Sequence, residues 1–267
     1  MDDAAPPAAI RLDVTDGIAV LTLDRPGVRN AIDDAMRGEM IAALERVAAD
    51  PAIRALVVTG AGPAFCSGGD VRGMRQRLSV PPERIAMNGW RRQQNTHRAM
   101  SLLHLLPKPT IAAVNGAAAG LGCDVALACD LIIASPAARF TMSFIARGLV
   151  PDGGGMYFLP RRVGLPRAKE LVFSGRTVAA EEALAIGLAD RMAPADRLLE
   201  DAIAWARELS SGSCSALALA KGVLDRSLES SFEQVMSAGS QAQAICYTTE
   251  EHRASVKAFL ARAKPRA

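Results

Sequence analysis

The chain has 267 residues, half of them hydrophobic, with 4% aromatic residues and a formal net charge of +3. That length supports a substantial core, in one domain or one domain with an appendage, and the low aromatic content leaves small side chains and close packing to build it. Interspersed charges and few aromatics give no case for nucleic acid, and no apolar run approaches the roughly 18 residues that a bilayer span needs.

Residues 1–9 are acidic and proline-rich, which reads as a loose tail and not as a secretory or transit leader. Residues 10–24 alternate apolar and polar around Asp16-Gly17, the pattern of a β-hairpin. Asn30 is placed to cap a helix whose Ile32, Met36, Met40, Leu44 and Val47 share one stripe; Asp50-Pro51 stops it. Residues 53–59 read as a strand and 60–70 as a glycine-rich loop. Pro81-Pro82 breaks the chain, and 83–106 reads as a long helix. Residues 111–114 form a buried strand, followed by Asn115-Gly116, Gly120-Leu121-Gly122 and a helix of small and aliphatic residues to Cys129. Residues 131–134 read as a further strand and 140–155 as irregular. Short helices follow over 157–163 and 166–173, then a helix over 179–186 and a short strand over 188–192. From Pro194 everything reads helical: 194–210, 214–227, 229–245 and 249–262. The chain therefore divides into a tail (1–9), a mixed strand and helix core (10–193) and a helical region (194–267). Alternating strands and helices argue for an α/β architecture with partly parallel sheets.

The five cysteines, Cys66, Cys123, Cys129, Cys214 and Cys246, are odd in number and scattered. They read as reduced structural thiols in a cytoplasm, and no Cys/His spacing resembles a zinc site.

Two glycine-rich turns follow apolar strands: Phe65-Cys66-Ser67-Gly68-Gly69-Asp70, and Gly120-Leu121-Gly122. A strand, a glycine turn and a helix start bring free backbone N–H groups to one place with the helix dipole behind them, a setting that binds negative charge. The dinucleotide fingerprint is incomplete at Gly120-Leu121-Gly122. The Gly-x-x-x-x-Gly-Lys-Ser/Thr loop and Gly-x-Ser-x-Gly are absent, which counts against phosphate-loop enzymes and α/β-hydrolases.

Together the turns resemble the enoyl-CoA hydratase/isomerase (crotonase) superfamily. The resemblance runs through Lys108-Pro109, Ile111-Ala-Ala-Val-Asn115-Gly116, Leu127-Ala-Cys-Asp130, Gly148-Leu-Val-Pro-Asp-Gly-Gly, Leu159-Pro-Arg161, Ala180-Glu-Glu-Ala-Leu-Ala-Ile-Gly187-Leu188 and Glu251-His-Arg, over about residues 10–262. It implies a ClpP/crotonase-like α/β spiral of repeated ββα units, with two roughly perpendicular sheets and a C-terminal helical region used for trimer assembly. It also implies an acyl-CoA thioester substrate, a homotrimer or a hexamer built as a dimer of trimers, and no metal or nucleotide cofactor. Coenzyme A enters as part of the substrate.

By position, the resemblance makes Gly69 and Leu121 the N–H donors of an oxyanion hole for a thioester enolate. Losing one such donor typically costs about 3–4 kcal/mol of barrier. Hydratases of the family use two glutamates. The matching positions here are Asp124, shorter by one methylene, and Phe144, which cannot transfer a proton. Several isomerases of the family place their acid at the position of Asp152, and one carboxylate suffices to move a proton between two carbons. The 4-chlorobenzoyl-CoA dehalogenases match Asp152 as nucleophile and His97 as base, with a tryptophan where this chain has Phe144. Ser67, Gly68, Asp70, Gly120 and the turn with Arg29 match substrate-binding positions, and Phe259 and Lys264 match positions at the adenine end. Arg72 and Arg75 read equally as phosphate partners or as a solvated face. Structural roles also suit Asp124 and Asp152 as caps or turn residues, and His97 as a surface residue. Double-bond isomerisation through Asp152 is the expected activity. Hydration through Asp124 and Asp152, displacement through Asp152 and His97, and a non-catalytic acyl-CoA-binding subunit are the alternatives.

Overall fold

The computed structural model describes residues 8–262, the side chains at 74, 76, 77 and 262 aside. Most of the tail expected over 1–9, and Lys264, lie outside the described residues.

The hairpin forms as the alternation requires. Strands β1 (Ile10–Thr15) and β2 (Ile18–Leu23) pair antiparallel through Asp16 and Gly17, both at positive φ (50° and 77°), the geometry that matches the twist of a two-residue hairpin. Helix α1 (Asp34–Ala49) follows, and its cap corrects the expectation. Asp33 accepts the Met36 N–H, whereas Asn30 is fully buried. The Asn30 side chain instead donates to the Ala61, Ala64 and Phe65 carbonyls and accepts the Arg25 N–H. Ile32 lies before α1 and bridges to Gly69, tying this segment to the first glycine turn.

Three successive strand pairs then each send one strand to each of two sheets. They are β3 (Ala55–Gly60) with β4 (Ala64–Cys66), β5 (Thr110–Val114) with β6 (Ala117–Ala119), and β7 (Leu131–Ala134) with β8 (Arg139–Thr141). Helices α2 (Val71–Arg77) and α3 (Pro82–His104) follow the first pair. Helix α4 (Leu121–Ala128) follows the second, and α5 (Gly155–Val163) and α6 (Leu165–Ser174) the third. Strands β9 (Thr177–Ala179) and β10 (Arg191–Met192), with α7 (Ala180–Ala185) between them, add one more strand to each sheet. The larger sheet has the order β1-β2-β3-β5-β7-β10 and is parallel after its first pair; the smaller has the order β4-β6-β8-β9. This is the repeated strand–strand–helix spiral that the family resemblance implies.

Strands buried on both faces explain the near-continuous apolar runs. Leu21, Leu56, Val58, Ala112, Val114 and Ile132 enter one core with Met36, Met40 and Leu44 of α1 and Leu103 of α3. The alternate residues Ile18, Ala55, Val57, Ile111, Ala113 and Ile133 enter a second core under α8 (Leu198–Leu209), which supplies Ala202, Trp205 and Ala206. Helix α8 thus belongs to the sheet by packing. Beyond it run α9 (Cys214–Leu224), α10 (Phe232–Thr248) and α11 (Glu250–Arg262). Arg54 anchors this passage by donating to the Ser210 and Gly212 carbonyls, and the Glu251 carboxylate caps α9 through the Cys214 and Ser215 N–H groups. No helix among the described residues is long and apolar enough to cross a membrane.

Candidate active site

The two glycine turns meet where β4 and β6 run side by side. Gly68 sits at φ +99°, and a Cβ there would stand 2.7 Å from the Ala119 carbonyl and 3.5 Å from the Leu121 nitrogen. Only glycine allows both that backbone and that approach. Gly122 is pressed the same way, with a Cβ position 2.2 Å from the Cys66 carbonyl. The hydrogen bonds around each turn bypass two donors. Ile32 N donates to the Gly68 carbonyl and Asp70 N to the Ile32 carbonyl, while Cys123 N and Asp124 N both donate to the Gly120 carbonyl. Among the described residues, neither Gly69 N–H nor Leu121 N–H has a protein acceptor. Leu121 opens α4, so its N–H stands at the positive end of the helix dipole.

Both donors border one cavity of about 290 Å³. Ser67, Gly68, Gly69, Gly120 and Leu121 line one side, and Phe144, Leu149 and Asp152 line another. Helix α3 closes it with Ile85, Gly89, Arg92, Gln93 and Thr96. A larger cavity, about 710 Å³, lies between α9 and the α3/α5 face, lined by His104, Tyr157 and Lys221, and contains none of the turn residues.

Asp152 is half-buried and lines the cavity. Helix α5 takes Gly154 as its N-cap without any side-chain cap, so the Asp152 carboxylate is not spent on capping. No hydrogen bond or ion pair holds it among the described residues. Asp124 is placed differently: it is fully buried beneath the turn that carries Asp152 and does not line the cavity. Its Oδ2 accepts the Gly153 N–H at 3.0 Å, and its Oδ1 is buried without a hydrogen-bond partner. Burial first, and then the nearby Asp152 carboxylate, push its pKa up to about 8. The N–H groups of Gly153 and Gly155 oppose the shift, and only the first makes a well-formed hydrogen bond. Burial therefore favours the neutral form of the Asp124 carboxyl.

His97 is exposed on α3 and is not part of the cavity wall. Asp70 is buried and ion-paired to Arg25 (3.2 Å), which also reaches Asp33 (2.9 Å). Arg29 is in the left-handed region (φ 52°), and its carbonyl accepts the Ser67 N–H, so the turn it belongs to supports the first glycine turn from outside the cavity. Arg72 N caps onto Asp70 Oδ1, and Phe259 is exposed on α11. Burial pushes the Cys66 and Cys129 thiols up to about 12, which keeps both unreactive. The wall residues Arg92, Gln93, Thr96, Ser143 and Arg147 were not among the expected site residues. For the α3 residues the one sequence signal is the helical spacing of 85, 89, 92, 93 and 96; Ser143 and Arg147 carry none.

Among the described residues, the two-sheet ββα spiral thus brings two N–H groups without acceptors and one unengaged carboxylate onto a shared cavity, the layout of an enolate-stabilising enzyme. The chain belongs to the enoyl-CoA hydratase/isomerase (crotonase) superfamily: the family model described as Enoyl-CoA hydratase/isomerase matches residues 13–266. It is 36% identical to a probable enoyl-CoA hydratase of Rhodobacter capsulatus over 257 residues, 96% of each chain. It is 33% identical to the 1,2-epoxyphenylacetyl-CoA isomerase of Escherichia coli K12, covering 94% of this chain and 95% of the relative. Among solved structures, an enoyl-CoA hydratase/isomerase from Cupriavidus metallidurans CH34 superposes with a TM-score of 0.88 at 35% identity. That match covers 97% of this chain and 98% of the other.

Proposed function

We propose that the protein isomerises the double bond of an enoyl-CoA, with Asp152 as the single acid/base. The thioester oxygen sits between the Gly69 and Leu121 N–H groups. The Asp152 carboxylate takes a proton from the carbon next to the thioester of a 3-enoyl-CoA. The electron pair spreads into a dienolate whose charge rests on the thioester oxygen, where the two donors and the α4 dipole stabilise it. The Asp152 carboxyl then returns the same proton two carbons away, giving the conjugated 2-enoyl-CoA and restoring the carboxylate.

The observation that carries this reading is that Asp152 is the one carboxylate on the cavity wall among the described residues, with Phe144 at the position of the second hydratase acid. Asp124 is buried behind the Gly153 turn and His97 does not line the cavity, which favours this reading over hydration by an acid pair and over aspartyl displacement. Hydration is the second reading, supported by the names of relatives. Coenzyme A arrives as part of the substrate, along the wall near Ser67 and the turn of Arg25 and Arg29. The exposed apolar residues of α9–α11 suit assembly into a homotrimer, or a hexamer as a dimer of trimers. Buried thiols with raised pKa suit a reducing cytoplasm.

A substrate panel tests the reading. The wild-type protein is to convert 3-enoyl-CoA thioesters to their conjugated isomers while adding water to crotonyl-CoA at least about 100-fold more slowly, the scale of losing one acid or base group. Crotonyl-CoA hydration faster than isomerisation would establish the hydratase reading instead. Binding of the thioesters without turnover would leave only the subunit reading.

A further inference from the structure

The first turn of α4 meets the loop that carries Asp152 through two side chains. Leu121 and Asp124 stand at i and i+3 and so share a helix face. Both press on Gly153: a Cβ there would stand 2.6 Å from Leu121 Cδ1 and 2.6 Å from Asp124 Oδ2. The other carboxyl oxygen, Asp124 Oδ1, stands 2.3 Å from the Cβ position of Gly155. Neither glycine has a positive φ, so the close approach of Asp124, and not the backbone conformation, calls for glycine at both. Pro151, Gly153 and Gly155 are buried, while Asp152 between them is half-buried and borders the cavity.

The same contact tethers the loop. The Gly153 N–H donates to Asp124 Oδ2 at 3.0 Å, and among the described residues this is the one hydrogen bond that ties residues 151–153 to another part of the chain. Desolvation alone would favour an apolar side chain at 124, since the position is fully buried. An apolar side chain would leave the Gly153 N–H buried and unpaired. One helical turn therefore supplies both the Leu121 donor of the oxyanion hole and the acceptor that holds the neighbour of Asp152. Such geometry decides rates, because about 1 Å of misplacement at a reacting group can cost about 100-fold.

We propose that Asp124 is a positioning residue: through Gly153 it fixes the Asp152 carboxylate relative to the Leu121 N–H, and it transfers no proton itself. This rests on the reading of Asp152 as the acid/base. It assigns the buried carboxyl a role that the reaction itself does not use.

Two variants of similar size separate the roles. Asp124→Asn keeps an acceptor for Gly153 and has no acid proton to transfer, and Asp124→Leu fills the space without an acceptor. With 3-hexenoyl-CoA in D2O, NMR follows two events: exchange at the carbon next to the thioester, and formation of the conjugated isomer. Calorimetry gives the affinity for saturated hexanoyl-CoA. Asp124→Asn should keep the wild-type rates within about threefold, whereas Asp124→Leu should lose about tenfold or more with hexanoyl-CoA affinity unchanged. Gly153→Ala disturbs the same contact from the loop side, should show the same loss, and replaces Asp124→Leu if that variant does not fold. A loss in Asp124→Asn as large as in Asp124→Leu overturns the proposal and makes Asp124 a proton carrier. Wild-type rates in Asp124→Leu, or in Gly153→Ala in its place, overturn it and leave Asp124 a part of the core alone. Exchange without isomer in the wild type, with the expected order of variants, upholds this inference and removes the isomerase reading. If the wild type gives neither exchange nor isomer, both fall.

Discussion

Asp152 and Asp124 are two aspartates at one turn with opposite environments. Asp152 borders the cavity with nothing among the described residues holding its carboxylate, and Asp124 lies beneath it, fully buried. Asp124 has a measurable signature. Its folded pKa of about 8 stands above the ordinary aspartate value of 3.8, so the folded state binds the proton more tightly. The stability this contributes is fully present below about pH 4 and is lost as pH rises through about 8, by up to about 1.4 kcal/mol per pH unit. Urea unfolding of the wild type and Asp124→Asn between these limits should show the slope in the first and a flatter profile in the second. Parallel profiles would contradict a neutral Asp124. At this scale the sequence exposed the two glycine turns, Asp152 and Phe144, because their spacing is local. The burial of Asp124 was hidden, since it depends on Gly153 and Gly155 from a loop some thirty positions on, where a Cβ on Gly155 would stand 2.3 Å from Asp124 Oδ1.

At the scale of elements, long periodic segments were readable and short strands were not. The stripe of α1 and the apolar runs of β3, β5 and β7 carry their period in sequence. Strands β4, β6 and β8 are three residues each, too short to show one, and they are the strands that bring the turns together. Asn30 shows the same limit. Its place before a helical stripe suggested a cap, yet it is locked at φ 57° and binds three carbonyls from the 61–65 segment. Asn30→Ala leaves those carbonyls without their donor and strains the backbone. It should cost on the order of 3 kcal/mol in urea unfolding and lower enoyl-CoA turnover by loosening the first glycine turn. A loss within about 0.5 kcal/mol, the range of ordinary surface changes, would show the segment is held by other means.

At the scale of the whole molecule, the two sheets and α8 close the core, and α9–α11 carry apolar residues outward. Leu224, Leu228, Phe232 and Met236 are all more than half exposed on the single chain. Such a surface is costly in water unless covered. Light scattering after size exclusion should give three or six times the 28.1 kDa chain mass, and Phe232→Asp with Leu228→Asp should shift the protein toward smaller species. A monomer at micromolar concentration would refute the proposed assembly.

The central claim is that one carboxylate, Asp152, moves the proton in an enolate-forming site. The direct measurement is the rate of 3-enoyl-CoA isomerisation by Asp152→Asn beside the wild type, with saturated acyl-CoA affinity measured on both. Turnover should fall by about 100-fold or more while affinity is kept, as for the loss of a general acid/base group. Isomerisation by Asp152→Asn at the wild-type rate would contradict the claim.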